Sequence, residues 1–452
     1  MRHRLSCMIA LWLCALVFSL ISGRAQSGRV LPEKTAASSP ASTDARAASA
    51  LYEEAEKYVR EKFEQFNRNR VPYNKERAAQ TYLEQREMAA RYAALLSARK
   101  SLAGDDLFYM GMLYRLTDSN DEALEAFKRY LDTKPASGNE HAQTARIELI
   151  TVATEKGMLD EAERVRADFL NSQPQRPDSR LLVAALMASA YRQAKKFDLA
   201  LERGREAFDI LKSLPVPQPA ERDARVESIK SVTGLLVQLY LVKGKRNEAK
   251  AVVEVLRRMS LDFPSPALFR QSVRLVAALG IEEGDLKADA TASLARPLPP
   301  EIVAAEWIDQ KPVKLADLRG QVVLLDFWAS WCGPCISTFP TLRRWHDKYK
   351  DKGLVIIGVT NYFGEAEGSE MSPTEELDYL RRFKKRFRLP YGFAVADNDD
   401  NDINYGIASI PTTFLIDRRG HVRLISLGAG ESEAQEIEAM IKRLLDEEGN
   451  AK

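Results

Sequence analysis

The run Val322-Val323-Leu324-Leu325-Asp326-Phe327-Trp328-Ala329-Ser330-Trp331-Cys332-Gly333-Pro334-Cys335 decides how this chain is read. Its first six residues are apolar apart from Asp326, the pattern of a short buried strand. The strand leads straight into two cysteines separated by Gly333-Pro334. That order predicts a redox-active dithiol at the first turn of a helix. Cys332, just ahead of the helix, meets free backbone N–H groups and the positive end of the dipole, which favour a thiolate. Placement of this kind lowers a thiol pKa from about 8.5 to roughly 7 or below. Cys332 is therefore expected to be exposed and nucleophilic. Cys335, one turn in and more buried, is the natural resolving thiol, and Gly333-Pro334 keeps the turn tight. A static structural disulfide is the plainer alternative.

Composition and export signals narrow the chemistry. The chain has 452 residues, 45 % hydrophobic and 29 % charged, ordinary for a soluble protein of two or three domains. Residues 1–25 read as a signal peptide: Arg2 and Arg4 precede an apolar stretch that ends in Gly23-Arg24-Ala25. An uncleaved membrane anchor is the alternative reading. Removal of this segment takes the net charge from +2 to −1, so no basic excess remains for nucleic acid. It also removes Cys7 and Cys14, leaving Cys332 and Cys335 as the only cysteines. Exported proteins often use disulfides as staples, but this pair has no spare partners and is better explained by chemistry. A structural zinc site would need a third and fourth ligand that the chain does not offer, and no metal is expected.

Residues 26–50, rich in Ala, Ser, Thr and Pro, read as a flexible linker. Residues 51–285 read as nearly continuous helix. Within them Leu107, Met110, Gly111, Tyr114, Ala123, Phe127 and Pro135 fall at spacings similar to a tetratricopeptide repeat. Small residues would let the two helices of a hairpin approach, aromatics would fill the groove between hairpins, and Pro would end the second helix. Ala162, Ala200 and Ala249 mark weaker copies. The expected architecture of this half is a tetratricopeptide-like array of helical hairpins, with an irregular helical bundle as the alternative.

A proline-rich linker at 286–300 marks the next boundary, and residues 301–449 change to strand-like periodicity. Leu354–Val359 is a second buried strand, and Thr412–Ile416 with Val422–Ser426 flank a hairpin turn. Residues 431–447 form a closing amphipathic helix. Asp326 is an acid within an apolar strand. If buried, it would have a raised pKa and could take a proton from Cys335 through water; if it faced the sheet edge, it would merely be solvated. Pro411, just before a strand, is a candidate cis peptide. Trp331 could shield Cys332 and offer an apolar docking surface, whereas Trp328 reads as core. Asp397, Asp399 and Asn401 hint at a calcium loop, but Asp402 and Ala408 stand where Gly and a bidentate Glu are needed, so a solvated acidic turn is expected. His346 and His421 read as isolated surface residues.

Together these residues resemble the thioredoxin superfamily, in particular its exported TlpA/ResA-like branch. Val313–Val323 is similar to the leading hairpin and strand of that branch, and Ile410-Pro411-Thr412-Thr413-Phe414-Leu415-Ile416-Asp417 to its later signature. The segment from Tyr362 to Arg388 lies where the branch carries extra structure. The resemblance spans roughly residues 296–447. It implies an α/β thioredoxin-like domain after the all-α array, acting as a thiol-disulfide oxidoreductase that reduces client proteins outside the cytoplasm. By position it makes Cys332 the nucleophile, Cys335 the resolving thiol and Pro411 the cis-proline beside the dithiol. The Ile410 backbone would then pair with an extended client segment, with Trp331, Gly333 and Pro334 lining the contact. No cofactor is implied beyond the Cys332–Cys335 pair. The implied partners are disulfide-bearing clients, a membrane-embedded thiol electron donor, and a peptide or protein on the helical array. The sequence departs from many members at Asp326, where they carry Asn, and at Thr338, where they carry Glu. An isomerase or oxidant, or a helical scaffold with an accessory redox site, are the competing functions.

Overall fold

The computed structural model describes residues 46–102, 104–282, 286 and 297–447. The expected signal segment lies outside them, as do most of the 26–50 and 286–300 linkers. The described residues divide into two compact units that part at residues 214 and 215.

Residues 46–214 are all helical: α1 Ala48–Arg68, α2 Lys75–Ser97, α3 Asp105–Leu116, α4 Asn120–Asp132, α5 Glu140–Glu155, α6 Leu159–Asn171, α7 Pro177–Gln193 and α8 Phe197–Ser213. Consecutive helices pair as hairpins, α1 with α2 through to α7 with α8. Short polar joints start several of them: Asn74 and Asn139 cap α2 and α5 by accepting from Arg77 N–H and Ala142 N–H. The helices approach where the sequence provides small residues. Ala123, Ala162 and Ala200 are fully buried. At Gly111 an added Cβ would lie 2.6 Å from the Phe127 ring, so only glycine permits the α3–α4 approach.

The second unit begins with three helices, α9 Arg222–Val242, α10 Arg246–Asp262 and α11 Pro266–Leu279. These group with the sheet that follows, whereas the sequence pattern placed them with the preceding helices. The sheet has six strands in the order β1-β6-β3-β2-β7-β8: β1 Glu306–Ile308, β2 Val322–Phe327, β3 Leu354–Asn361, β6 Gly392–Ala396, β7 Thr412–Ile416 and β8 Val422–Leu427. Strands β2, β3 and β6 run parallel; β1, β7 and β8 are antiparallel to their neighbours. A two-stranded ribbon, β4 Glu365–Ala366 and β5 Ser369–Glu370, lies in the segment after β3. Helices α12 Gly333–Tyr349, α13 Pro373–Arg386, α14 Asp400–Tyr405 and α15 Glu431–Asp446 complete the α/β domain.

Every residue of β2 is buried, as its apolar run requires for a central strand. Trp328, Phe339, Phe383 and Phe393 pack ring against ring and tie α12 and α13 to β6. Phe327 meets Tyr405 and Phe414 in the same way, tying α14 to β2 and β7. Strands β1 and β6 had no sequence expectation. Asp397, Asp399 and Asp400 are exposed, as a solvated acidic turn requires, but Asn401 is fully buried and its side chain exchanges two hydrogen bonds with the Val303 backbone, at 2.9 and 2.6 Å. His421 is likewise buried, not on the surface, beside an Asp417 carboxylate that also accepts from Arg423.

Candidate active site

Cys332 is the N-cap of α12. Its Sγ accepts from the Cys335 backbone N–H at 3.2 Å, as a capping side chain does. The two cysteines form a disulfide. Cys335 is fully buried; Cys332, expected to be exposed, keeps only 5 % exposure in this oxidised form. Gly333 and Pro334 are exposed, and Pro334 starts the helix where its missing N–H costs nothing. Thr338 turns back to the Cys335 carbonyl at 2.7 Å. Helix α12 continues through Pro340, which cannot donate to Ile336.

Alternation along β2 sends Asp326 to the opposite face from Leu325 and Phe327. Its carboxyl is buried, not solvated at a sheet edge. Oδ1 accepts from Thr413 Oγ1 at 3.4 Å, while Oδ2 has no hydrogen-bond partner among the described residues. Burial pushes the Asp326 pKa up to about 7, and the Thr413 hydroxyl opposes that only in part. A buried carboxyl of raised pKa thus sits in the strand that ends at the dithiol.

The Ile410–Pro411 peptide is cis. Thr412 pairs with Phe327, so this loop reaches the same end of the sheet as the β2 terminus that carries the cysteines. Thr412 Oγ1 donates to the Ser409 carbonyl at 2.7 Å and Gly428 N–H to the Pro411 carbonyl at 3.0 Å, which hold the loop on both sides.

Trp331 is 61 % exposed and meets the edge of Phe363, also exposed, with ring centroids 5.5 Å apart. Trp328 is core, with its indole N–H unpartnered among the described residues. The Phe363 loop is held from within. Glu376 of α13 is buried, and its two carboxylate oxygens accept from Phe363 N–H and Gly364 N–H, each at 2.9 Å. Sequence reading passed over Glu376, one of two acids in a capping segment where Ser372 and Glu375 form the capping box. Its burial comes only from docking of the insert.

A buried thiol pair at a helix start, a buried carboxyl of raised pKa and a cis-proline loop at one sheet end are the parts of a dithiol exchanger. The family profile and the sequence relatives agree. The Redoxin family profile matches residues 299–441. The thiol-disulfide oxidoreductase ResA of Geobacillus thermodenitrificans is 30 % identical over 161 residues, 35 % of this chain and 84 % of that protein. ResA of Bacillus thuringiensis is 29 % identical over 137 residues, 30 % of this chain and 71 % of that protein. Among solved structures, a thiol-disulfide isomerase from Corynebacterium glutamicum is 23 % identical, covering 33 % of this chain and 97 % of its own, with a TM-score of 0.29. Through the domain that holds Cys332 and Cys335, this chain belongs to the ResA-type thiol-disulfide oxidoreductases.

Proposed function

We propose that this protein reduces disulfides of client proteins outside the cytoplasm, by dithiol exchange through Cys332 and Cys335. The observation that carries the reading is Cys332 as the cap of α12 with Cys335 wholly buried one turn on. In the reduced protein the Cys335 N–H and the helix N-terminus stabilise negative charge on Cys332 Sγ. That thiolate attacks one sulfur of the client disulfide. The client S–S bond breaks, its second sulfur leaves and takes a proton, and a mixed disulfide remains. Cys335 then gives its proton through water to Asp326 and attacks Cys332 Sγ. The mixed disulfide breaks, the remaining client sulfur leaves and is protonated, and two electrons have passed to the client. The protein ends with the Cys332–Cys335 bond. A membrane-embedded thiol donor restores the dithiol.

The Ile410 backbone beside Pro411 takes an extended client segment by strand addition, with Trp331, Gly333 and Pro334 lining the approach. Gly-Pro between the cysteines favours the reducing direction, as the family resemblance implies. The N-terminal segment directs export, and the hairpins of residues 46–214 hold a peptide or protein partner. No cofactor is needed beyond the cysteine pair. Equilibration of the purified protein against glutathione or dithiothreitol buffers tests the direction. A potential near thioredoxin's, about −270 mV, supports a reductase; a value near about −120 mV, typical of a strong oxidant, overturns it in favour of disulfide formation.

A further inference from the structure

Helices α9–α11 stand outside the sheet, yet α10 and α11 pack on its edge strand β8. Leu261 and Phe269 from these helices belong to the same apolar core as β2 and Cys335. At the joint, Arg222 is buried. Its guanidinium lies over the Phe263 ring at 4.0 Å and donates to the Pro264 carbonyl. It also meets Gly406, where an added Cβ would lie 3.3 Å from Nε. Burial lowers the Arg222 pKa to about 10. These contacts bind the α10–α11 turn to the segment that runs into Ser409, Ile410 and Pro411.

The consequence is felt at Ser409, an exposed residue immediately before Ile410. Arg270 of α11 donates from Nη2 to Ser409 Oγ at 3.4 Å. Arg274 follows one turn later on the same helical face, and α11 contains no acidic residue. Both arginines are exposed. Their remaining guanidinium N–H groups have no partner among the described residues. A guanidinium fork offers paired donors to a planar carboxylate.

We propose that α11 forms one wall of the client groove, and that Arg270, reinforced by Arg274, selects extended disulfide-bearing segments with an acidic residue beside the reacting cysteine. The inference rests on the reading that a client pairs with the Ile410 backbone. Arg270 acts as a specificity residue at the rim, touching the client and not the reacting sulfurs. Rim charges act mainly on encounter rate and are screened by salt.

The test uses the full reduced chain and three peptides that share one disulfide, with Asp, Ser or Lys beside the target cysteine. The expected kcat/KM is about fivefold higher for the Asp peptide than for the Lys peptide at low ionic strength. The ratio should fall toward one at about 1 M salt, where the Debye length is about 3 Å. Arg270→Ala should flatten the ratio and Arg270→Glu should invert it, with each rate read relative to the same variant's rate on the Ser peptide. Equal ratios in wild type and Arg270→Glu, with the Ser peptide still reduced, overturn the proposal and leave the redox reading intact. Failure to reduce the Ser peptide at all overturns the redox reading itself.

Discussion

Thr413 Oγ1 reaches across from β7 to donate to Asp326 Oδ1 at 3.4 Å, and this is the Asp326 carboxyl's one hydrogen bond among the described residues. A single long hydrogen bond does not offset full burial, so the pKa rises to about 7. Between about pH 4 and about pH 7 the folded protein then holds a proton that the unfolded chain has lost. Stability contributed by the protonated carboxyl is complete at low pH and is lost as pH rises through about 7. Asp326→Asn should therefore stabilise the oxidised protein at pH 8, by at most roughly 4 kcal/mol, and leave it nearly unchanged at pH 4. Urea unfolding at the two pH values checks this; an equal effect at both would refute the burial argument. The same variant should slow client release from the mixed disulfide.

The two cysteines should separate cleanly in function. Cys335→Ser should accumulate a mixed disulfide with a client, because Cys332 attacks and nothing resolves the product. Cys332→Ser should trap none, since Cys335 is fully buried. Non-reducing electrophoresis with mass spectrometry distinguishes them, and equal trapping by both variants would contradict the assigned roles.

Glu376 anchors the wall beside Trp331 through two backbone N–H groups of the Phe363 loop. Glu376→Ala strands both donors and should cost roughly 2–3 kcal/mol, with Glu376→Gln keeping one acceptor and costing less. Freed from its loop, Phe363 should leave the Trp331 ring. The Trp331 contribution to fluorescence, taken as the difference from a Trp331→Phe protein, should change in the Ala variant before any global unfolding.

In residues 46–214 the Phe127 ring leaves no room for a Cβ at Gly111. Gly111→Ala should destabilise that unit by roughly 1–3 kcal/mol through overpacking, and Phe127→Leu in the same chain should recover part of the loss. Denaturant unfolding followed by helical circular dichroism measures it. The rate at which dithiothreitol reduces the Cys332–Cys335 bond should not change.

Much of the site could be read from local chemistry. The β2 run was legible because a strand buried on both faces must be apolar throughout, and the start of α12 because the Cys-Gly-Pro-Cys turn sits where strand gives way to helix. Pro411 stood out as the residue type that permits a cis peptide. Gly111 and the marker alanines announced close helix contacts by their size. By contrast, β6 is not legible in sequence: Pro390 and Asp397-Asn398 bracket it, but Gly392–Ala396 is only five residues long and includes glycine and two alanines, which are poor strand formers. Glu376 and Asn401 look like ordinary surface residues in sequence, and only their burial turns them into backbone clamps.

A dithiol at a strand–helix junction, behind a helical region, follows from the amino-acid order alone. Each of those signals is local: apolar periodicity, a capping position, a proline, a small residue at helical spacing. Packing of distant segments is what buries Asp326 with one oxygen unpaired among the described residues, sets Glu376 against the wall next to Trp331, and brings Arg222 and Arg270 of the last helices to the segment that leads into Ile410–Pro411. Those outcomes depend on which surfaces exclude water and which charges meet across more than a hundred residues of chain. Both are properties of packing that no local pattern carries.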